Sequence, residues 1–260
     1  MHQVQQSSSV QAKKLTTYCV RITYDGSHFY GWAKQIKLRT VEGKINKILK
    51  AIFQIEVSIN GASRTDTGVH AEDQIFTFTL PFTMQVSNLT AILQQHFIRD
   101  IKIKQVTIVA NHYDLHKQVR YKQYRYYINV GDHNPFKLNY QLQYCQPLSV
   151  KKLKKALKLF QGRTYFFNLS GLSKNDIKSP YRIVDKIKAW QWKRQITIVV
   201  QAKGFVRYQI RYMIAAALDY AQDRITLDEL KSYLSPKMKN KYPYPKASAA
   251  GLYLHKIVLK

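Results

Sequence analysis

The sequence predicts an α+β protein made of two ferredoxin-like (RRM-like) units. Three observations lead there. Residues 17–108 read as strand, helix, strand, strand, helix, strand, the order of the ferredoxin-like unit. The second half again mixes strands and helices in a β-rich order. A chain of 260 residues that is 45% hydrophobic and 22% charged is long enough, and apolar enough, for one large domain or two small ones. The expected division is a disordered tail over 1–16, an N-terminal α+β domain over 17–111 and a C-terminal α+β domain over 112–260.

The tail is polar and aperiodic. Order begins near Thr17, where Tyr18, Val20, Ile22 and Tyr24 alternate with polar neighbours as a half-buried strand. Asp25-Gly26 turns it into a loop reaching Arg39. Thr40 then caps a helix whose apolar residues Val41, Ile45, Ile48, Leu49 and Ile52 share one face. A short strand is expected near Glu56–Asn60, a loop over Gly61–Ala71 and a strand over Gln74–Thr79. A helix over Val86–Phe97 and a strand over Ile101–Ile108 complete the first unit. The second begins with a strand over Val119–Val130. Ser149 caps a helix with Leu153, Ala156, Leu157 and Phe160 on one side and Lys151, Lys152, Lys154, Lys155 and Lys158 elsewhere. Strands over Arg182–Trp190 and Gln195–Ala202 precede a helix over Phe205–Asp223, where Arg207 and Arg211 share a face at i, i+4. A strand over Leu252–Val258 ends the pattern.

Charge is the first clue to function. Forty-two Lys and Arg oppose 15 Asp and Glu, a net charge of +27. Residues 1–110 hold 13 basic and 7 acidic side chains, and residues 111–260 hold 29 and 8. Such a chain repels itself unless a polyanion binds it, and its 19 Tyr supply faces on which bases stack. The sequence has no run of 18 apolar residues for a membrane-spanning helix and no secretory leader pattern. Cys19 and Cys145 form no metal knuckle, and His28, His70, His112 and His116 lack metal-ligand spacing, so no metal and a reducing, cytoplasmic setting are expected. Trp32, Trp190 and Trp192 read as packing residues.

The segment Asn60-Gly61-Ala62-Ser63-Arg64-Thr65-Asp66-Thr67-Gly68-Val69-His70-Ala71 lies between two predicted strands. It is polar, tight and bounded by glycines. Taken alone it is an ordinary turn with a local Arg64–Asp66 pair. Its G-x-x-R-T-D-x-G-V-H-A pattern, however, closely resembles the catalytic signature of the tRNA pseudouridine synthase A family. Further segments agree in order: Tyr24-Asp25-Gly26 with Phe29, Gly31-Trp32 and Gln35; Arg39-Thr40-Val41-Glu42-Gly43; Lys122-Gln123-Tyr124-Arg125-Tyr126; Ser179-Pro180-Tyr181-Arg182; Gly204-Phe205-Val206 with Ile210-Arg211; and Gly251-Leu252-Tyr253-Leu254. The resemblance spans roughly residues 17–258.

The resemblance implies an isomerase that converts uridine to pseudouridine at positions 38–40 of the tRNA anticodon stem-loop. It implies a homodimer without cofactor, whose two antiparallel sheets join around a basic catalytic cleft. Asp66 corresponds to the essential aspartate, acting as a nucleophile or as a base that yields a glycal-like intermediate. Arg64 corresponds to the residue that fills the gap left by the flipped base, and would also favour an ionised Asp66. Tyr124 corresponds to the active-site tyrosine, a stacking platform whose hydroxyl could take the C5 proton. Arg211 corresponds to the basic partner of the aspartate. Arg39, Ser63, Thr65, His70, Lys122 and Arg207 are the expected substrate and RNA contacts. The chain departs from the family pattern at Tyr113-Asp114-Leu115-His116, where His116 replaces an arginine, at Gln95–Ile101, and at Ala249-Ala250, where an acidic residue is missing. Two other readings stay open: a tRNA-binding paralogue without turnover, and the same chemistry on another RNA.

Overall fold

A computed structural model describes residues 15–176 and 179–260. The expected tail lies outside them up to residue 14, and Thr16 already belongs to a strand. The first half contains β1 (Thr16–Tyr24), α1 (Val41–Phe53), β2 (Ile59–Gly61), β3 (His70–Leu80), α2 (Val86–His96) and β4 (Ile101–Val109). The second half contains α3 (Leu115–Gln118), β5 (Val119–Asn129), β6 (Leu142–Gln143), α4 (Val150–Lys158), β7 (Gly162–Tyr165), β8 (Tyr181–Trp192), β9 (Gln195–Ala202), α5 (Gln209–Ala221), α6 (Leu227–Ser232) and β10 (Leu252–Leu259). Among the described residues no helix is long and apolar enough to cross a membrane.

Local chemistry accounts for the helices. Thr40 accepts from the Gly43 N–H at the start of α1, and Gln54 ends it in the left-handed region at φ 57°. Val41, Ile45 and Leu49 form its buried stripe. Ser149 caps α4, which turns Leu153, Ala156 and Leu157 inward. α5 is buried on almost every side, and its run of alanines lets neighbours approach closely.

All ten strands among the described residues lie in one sheet, in the order β4-β1-β3-β10-β5-β9-β8-β7, with β2 on β3 and β6 on β5. The order β4-β1-β3-β2 is that of a ferredoxin-like unit, and β10-β5-β9-β8 repeats it. Each half therefore places its last strand beside its first. β1, paired with β3 and β4 on its two edges, buries Tyr18, Val20, Ile22 and Tyr24 on one face and Thr17 and Cys19 on the other, where Arg21 and Thr23 stay half-buried. α3, β6, β7 and α6 were not expected; they are short, and α6 announces itself only by its Thr226–Glu229 capping box.

The halves meet where β10 reaches the edge of β3. β2 occupies that edge opposite Phe76–Phe78, and β10 pairs in parallel with its beginning, Tyr253 opposite His70 and Leu254 opposite Ala71. This arrangement shortens β2 to three residues and starts β3 at His70, four residues before the expected Gln74. Past Leu254 the pairing with β3 ends while that with β5 continues, and side chains take over toward the first half: Asp73 accepts from the Ile257 N–H at 3.1 Å, and Arg21 donates to the Ile257 carbonyl at 3.2 Å and to Asp73 at 2.7 Å.

His70 is the polar centre of the seam. Its ring stacks on Tyr253 with centroids 4.5 Å apart. Nδ1 accepts from the Gly26 N–H at 3.1 Å and Nε2 donates to the Asn139 carbonyl at 2.8 Å, which fixes the neutral tautomer. Burial pushes its pKa down, against the pull of nearby Asp25. His70→Ala strands both partners and removes the stack, so urea unfolding should show a loss of about 2–4 kcal/mol. A loss within experimental error would deny His70 this role.

Candidate active site

The loop 62–69 leaves the sheet at the seam, and the interior of the first half holds its backbone. The Ala62 N–H donates to Ile75 O at 2.8 Å, and the Gly68 N–H to Phe29 O at 3.1 Å. The Ser63 carbonyl accepts from Gln74 Nε2 at 2.6 Å, and the Thr65 carbonyl from the Trp32 N–H at 3.0 Å. Thr65 Oγ1 meets the buried Tyr24 hydroxyl at 2.7 Å. The second half adds one bond, from Lys122 Nζ to the Ala62 carbonyl at 2.6 Å. Two glycines permit this close approach. A Cβ on Gly26 would lie 2.0 Å from Val69 O, and one on Gly31, at φ +85°, 2.7 Å from Thr65 O. The Tyr24-Asp25-Gly26 and Gly31-Trp32 segments are thus the clamp on the loop.

The loop projects Asp66 into a cleft of about 810 Å³ lined from both halves. Burial raises the Asp66 carboxyl pKa; Arg211, then Arg207 and Lys246, pull it down without cancelling the rise. Arg211 Nη1 stands 3.9 Å from Asp66 Oδ2, a loose ion pair. Its Nε donates to the Ala247 carbonyl at 2.7 Å, which fixes the guanidinium at the start of the largely buried α5. Three cations gather around one ring, with Lys246 Nζ, Arg207 Cζ and Arg211 Cζ at 4.7, 4.8 and 5.9 Å from the Tyr208 centroid. Tyr208 itself is left-handed at φ 61°.

Tyr124 approaches from β5. Its hydroxyl lies 3.0 Å from Ser63 Oγ, and Phe205 meets its ring edge-on at 5.4 Å. Burial pushes its pKa up to about 12, with Ser63 opposing and Asp66 adding to the rise. The phenol is therefore neutral near pH 7.

The structure brings Asp66, Tyr124, Arg211, Arg64, Ser63, Thr65, Lys122 and Arg207 to one cleft. It assigns several of them different work from that expected. Arg64 is exposed at the rim, and the charges that act on Asp66 come from the second half. Arg207 precedes α5, which begins at Gln209, so it shares no helix face with Arg211; the left-handed Tyr208 ends the turn between them. Ser63 and Thr65 are buried and serve Tyr124 and Tyr24. His70 is buried in the seam and does not line the cleft. Arg39 also lies off the cleft, donating to the His28 carbonyl, pairing with Asp100 and stacking on Phe29 at 4.4 Å. The sequence reading missed Lys246, Tyr208 and Gln74. Nothing local marks Lys246, and only the alternation of β3 could have aimed Gln74 at the loop. Among the described residues no three His, Cys, Asp or Glu side chains cluster as metal ligands.

A partly buried carboxylate, a buried phenol and a rim of cations meet at the junction of the two units. A family model described as tRNA pseudouridine synthase matches residues 156–258. The chain is 33% identical over 250 residues to the tRNA pseudouridine synthase A of Mesoplasma florum, covering 94% of this chain and 98% of that protein. It is 32% identical over 244 residues to the protein of that name from Ureaplasma urealyticum serovar 10, covering 92% and 98%. The chain belongs to the tRNA pseudouridine synthase A family. A solved Cbf5-Nop10-Gar1 complex aligns over 77% of this chain and 54% of that chain at 12% identity, with a TM-score of only 0.32.

If Asp66 ionisation governs activity, the acid limb of kcat/KM should be displaced upward by its burial, with activity present above the limb and lost below it. Arg211→Gln removes the largest opposing charge, so the limb should move to higher pH. An unmoved limb in a pH–rate profile would mean that Asp66 is not the titrating group or that Arg211 does not act on it.

Proposed function

We propose that this protein isomerises uridine to pseudouridine at positions 38–40 in the anticodon stem-loop of tRNA, with Asp66 as the essential residue. The observation that carries the reading is the Asp66 carboxylate, desolvated on a clamped loop and facing Tyr124 and Arg211 from the other half of the chain. Family membership supports tRNA as the substrate. The net charge of +27 supports a polyanionic partner bound through counterion release.

A glycosidic bond inside a stacked stem is out of reach of a loop carboxylate, so the target nucleotide turns out into the cleft. Arg64, exposed at the rim, fills the space it leaves. The uracil stacks on Tyr124. Arg211, Arg207 and Lys246 keep Asp66 ionised, and the 3.9 Å gap to Arg211 leaves its oxygen lone pairs available. Asp66 either bonds C1′ as N1 departs or removes the C2′ proton. Tyr124, neutral near pH 7 and hydrogen-bonded to Ser63 Oγ at 3.0 Å, takes the C5 proton only as its phenolate, so as the neutral phenol it serves as the stacking platform. The product keeps every atom of the substrate, so the reaction calls for no cofactor. A homodimer acting in the cytoplasm completes the reading. His116 lines the cleft where the family pattern has arginine, which favours an altered RNA contact there.

Unmodified tRNA transcripts with uridines at 38, 39 and 40 test this. Chemical labelling and mass spectrometry should find pseudouridine at these positions with the wild type and none with Asp66→Ala, while tRNA affinity stays within a few fold. Tight salt-sensitive binding without product would favour the binding paralogue or another RNA.

A further inference from the structure

The catalytic-loop wall of the cleft contains a lysine that no ion pair explains. Lys122 and Tyr124 are two residues apart on β5, so they project from one face of the sheet about 7 Å apart. Both line the cleft and both reach the same stretch of loop, Lys122 at the Ala62 carbonyl and Tyr124 at Ser63. The ladder neighbours of Lys122 are Ala202 on β9 and Ile257 on β10, which carry no charge. The titratable groups sharing the cleft are Arg64, Asp66, His116, Tyr124, Asp176, Arg207, Tyr208 and Arg211, with Tyr30 at its margin. Burial alone acts on the ammonium, and it lowers the pKa to about 8. An ammonium carries three donors, and Ala62 takes one. A desolvated cation without a counter-charge is costly to the fold, and such groups gather at functional sites.

We propose that Lys122 is a further catalytic residue, whose ammonium, held by the Ala62 carbonyl, hydrogen-bonds a carbonyl of the flipped uracil and stabilises the charge that the ring takes up when the N1–C1′ bond breaks. The proposal rests on the isomerase reading above. The electron pair of that bond passes to the ring and spreads over N1, O2 and O4. C1′ gains a bond to an Asp66 oxygen, or forms a double bond to C2′ as Asp66 takes the C2′ proton. Either course leaves an anionic uracil beside Tyr124, within reach of the residue two positions earlier on the strand. After the ring turns, C5 bonds C1′, displacing Asp66 or with return of the C2′ proton. The C5 proton then leaves to a base and N1 gains one. Lys122 keeps its protons throughout.

Single-turnover rates on a tRNA transcript, measured from pH 6 to 9.5, test the role. The ammonium is present below about pH 8 and lost above it. Lys122→Met should therefore slow the reaction about 10²-fold at pH 6.5, the usual cost of one oxyanion-type donor, and the two rates should converge as pH rises past 8. The tRNA affinity and its salt dependence should not change. A rate ratio constant across the range would make Lys122 a loop-packing residue and overturn the proposal. So would an unchanged rate with a salt slope reduced by about one, the mark of a phosphate contact. If Lys122→Met does not fold, Lys122→Arg should carry the rate to pH 9.5 without the decline near 8; a persisting decline would overturn the assignment. Failure of the underlying isomerase reading shows separately, as a wild type that makes no pseudouridine.

Discussion

β3 offers one free edge, and two strands from different halves of the chain divide it. β2 takes Phe76–Phe78 and β10 takes His70–Ala71. The connection between β2 and β3 therefore cannot continue as a hairpin along the sheet. It is lifted off where β10 arrives, and the residues lifted off are those that carry Asp66. The same strand brings β5 alongside, and with β5 come Tyr124 and Lys122. The position of the cleft thus follows from the sharing of one strand edge. The main-chain ladder at this junction is only two residue pairs long. Its polar groups are completed by side chains, which accounts for the buried Asp73 and for His70.

The electrostatics of the cleft follow from how charge is divided between the halves. The loop comes from the weakly charged half and its cations come from the strongly basic one. Burial in the cleft raises the Asp66 pKa, and the cations of the second half oppose that rise without cancelling it. A tighter pair would hold the carboxylate oxygens and blunt their reactivity. Ala247 instead holds Arg211 through Nε, and Tyr208 gathers the three cations on its ring. The rim that tunes Asp66 is also the rim that a phosphate backbone meets first.

Much of this was legible in the sequence because it is written locally. The Thr40 and Ser149 caps, the stripes of α1 and α4 and the alternation of β5 and β9 depend on neighbours a few residues apart. The loop was recognisable as a motif, and with it Asp66, Tyr124 and Arg211. What the sequence hid depends on pairing between distant segments. Nothing near His70 reveals that Tyr253 will stack on it, so a structural residue read as an RNA contact. The Arg39–Asp100 pair was hidden for the same reason, since the partners lie 61 residues apart. The left-handed Tyr208 breaks a pattern that reads as continuous helix, and so Arg207 was placed on α5. Lys246, in a loop without periodicity, had no signal at all.

The interior of the first half presets the loop that carries Asp66 before any RNA binds. Amide hydrogen exchange on the free protein tests it most directly. Ala62, Gly68 and Val69 donate to Ile75, Phe29 and Asp66, and their protection should approach that of the core strands. Exchange of these amides at the rate of an open loop, slowing only when tRNA is added, would contradict the account.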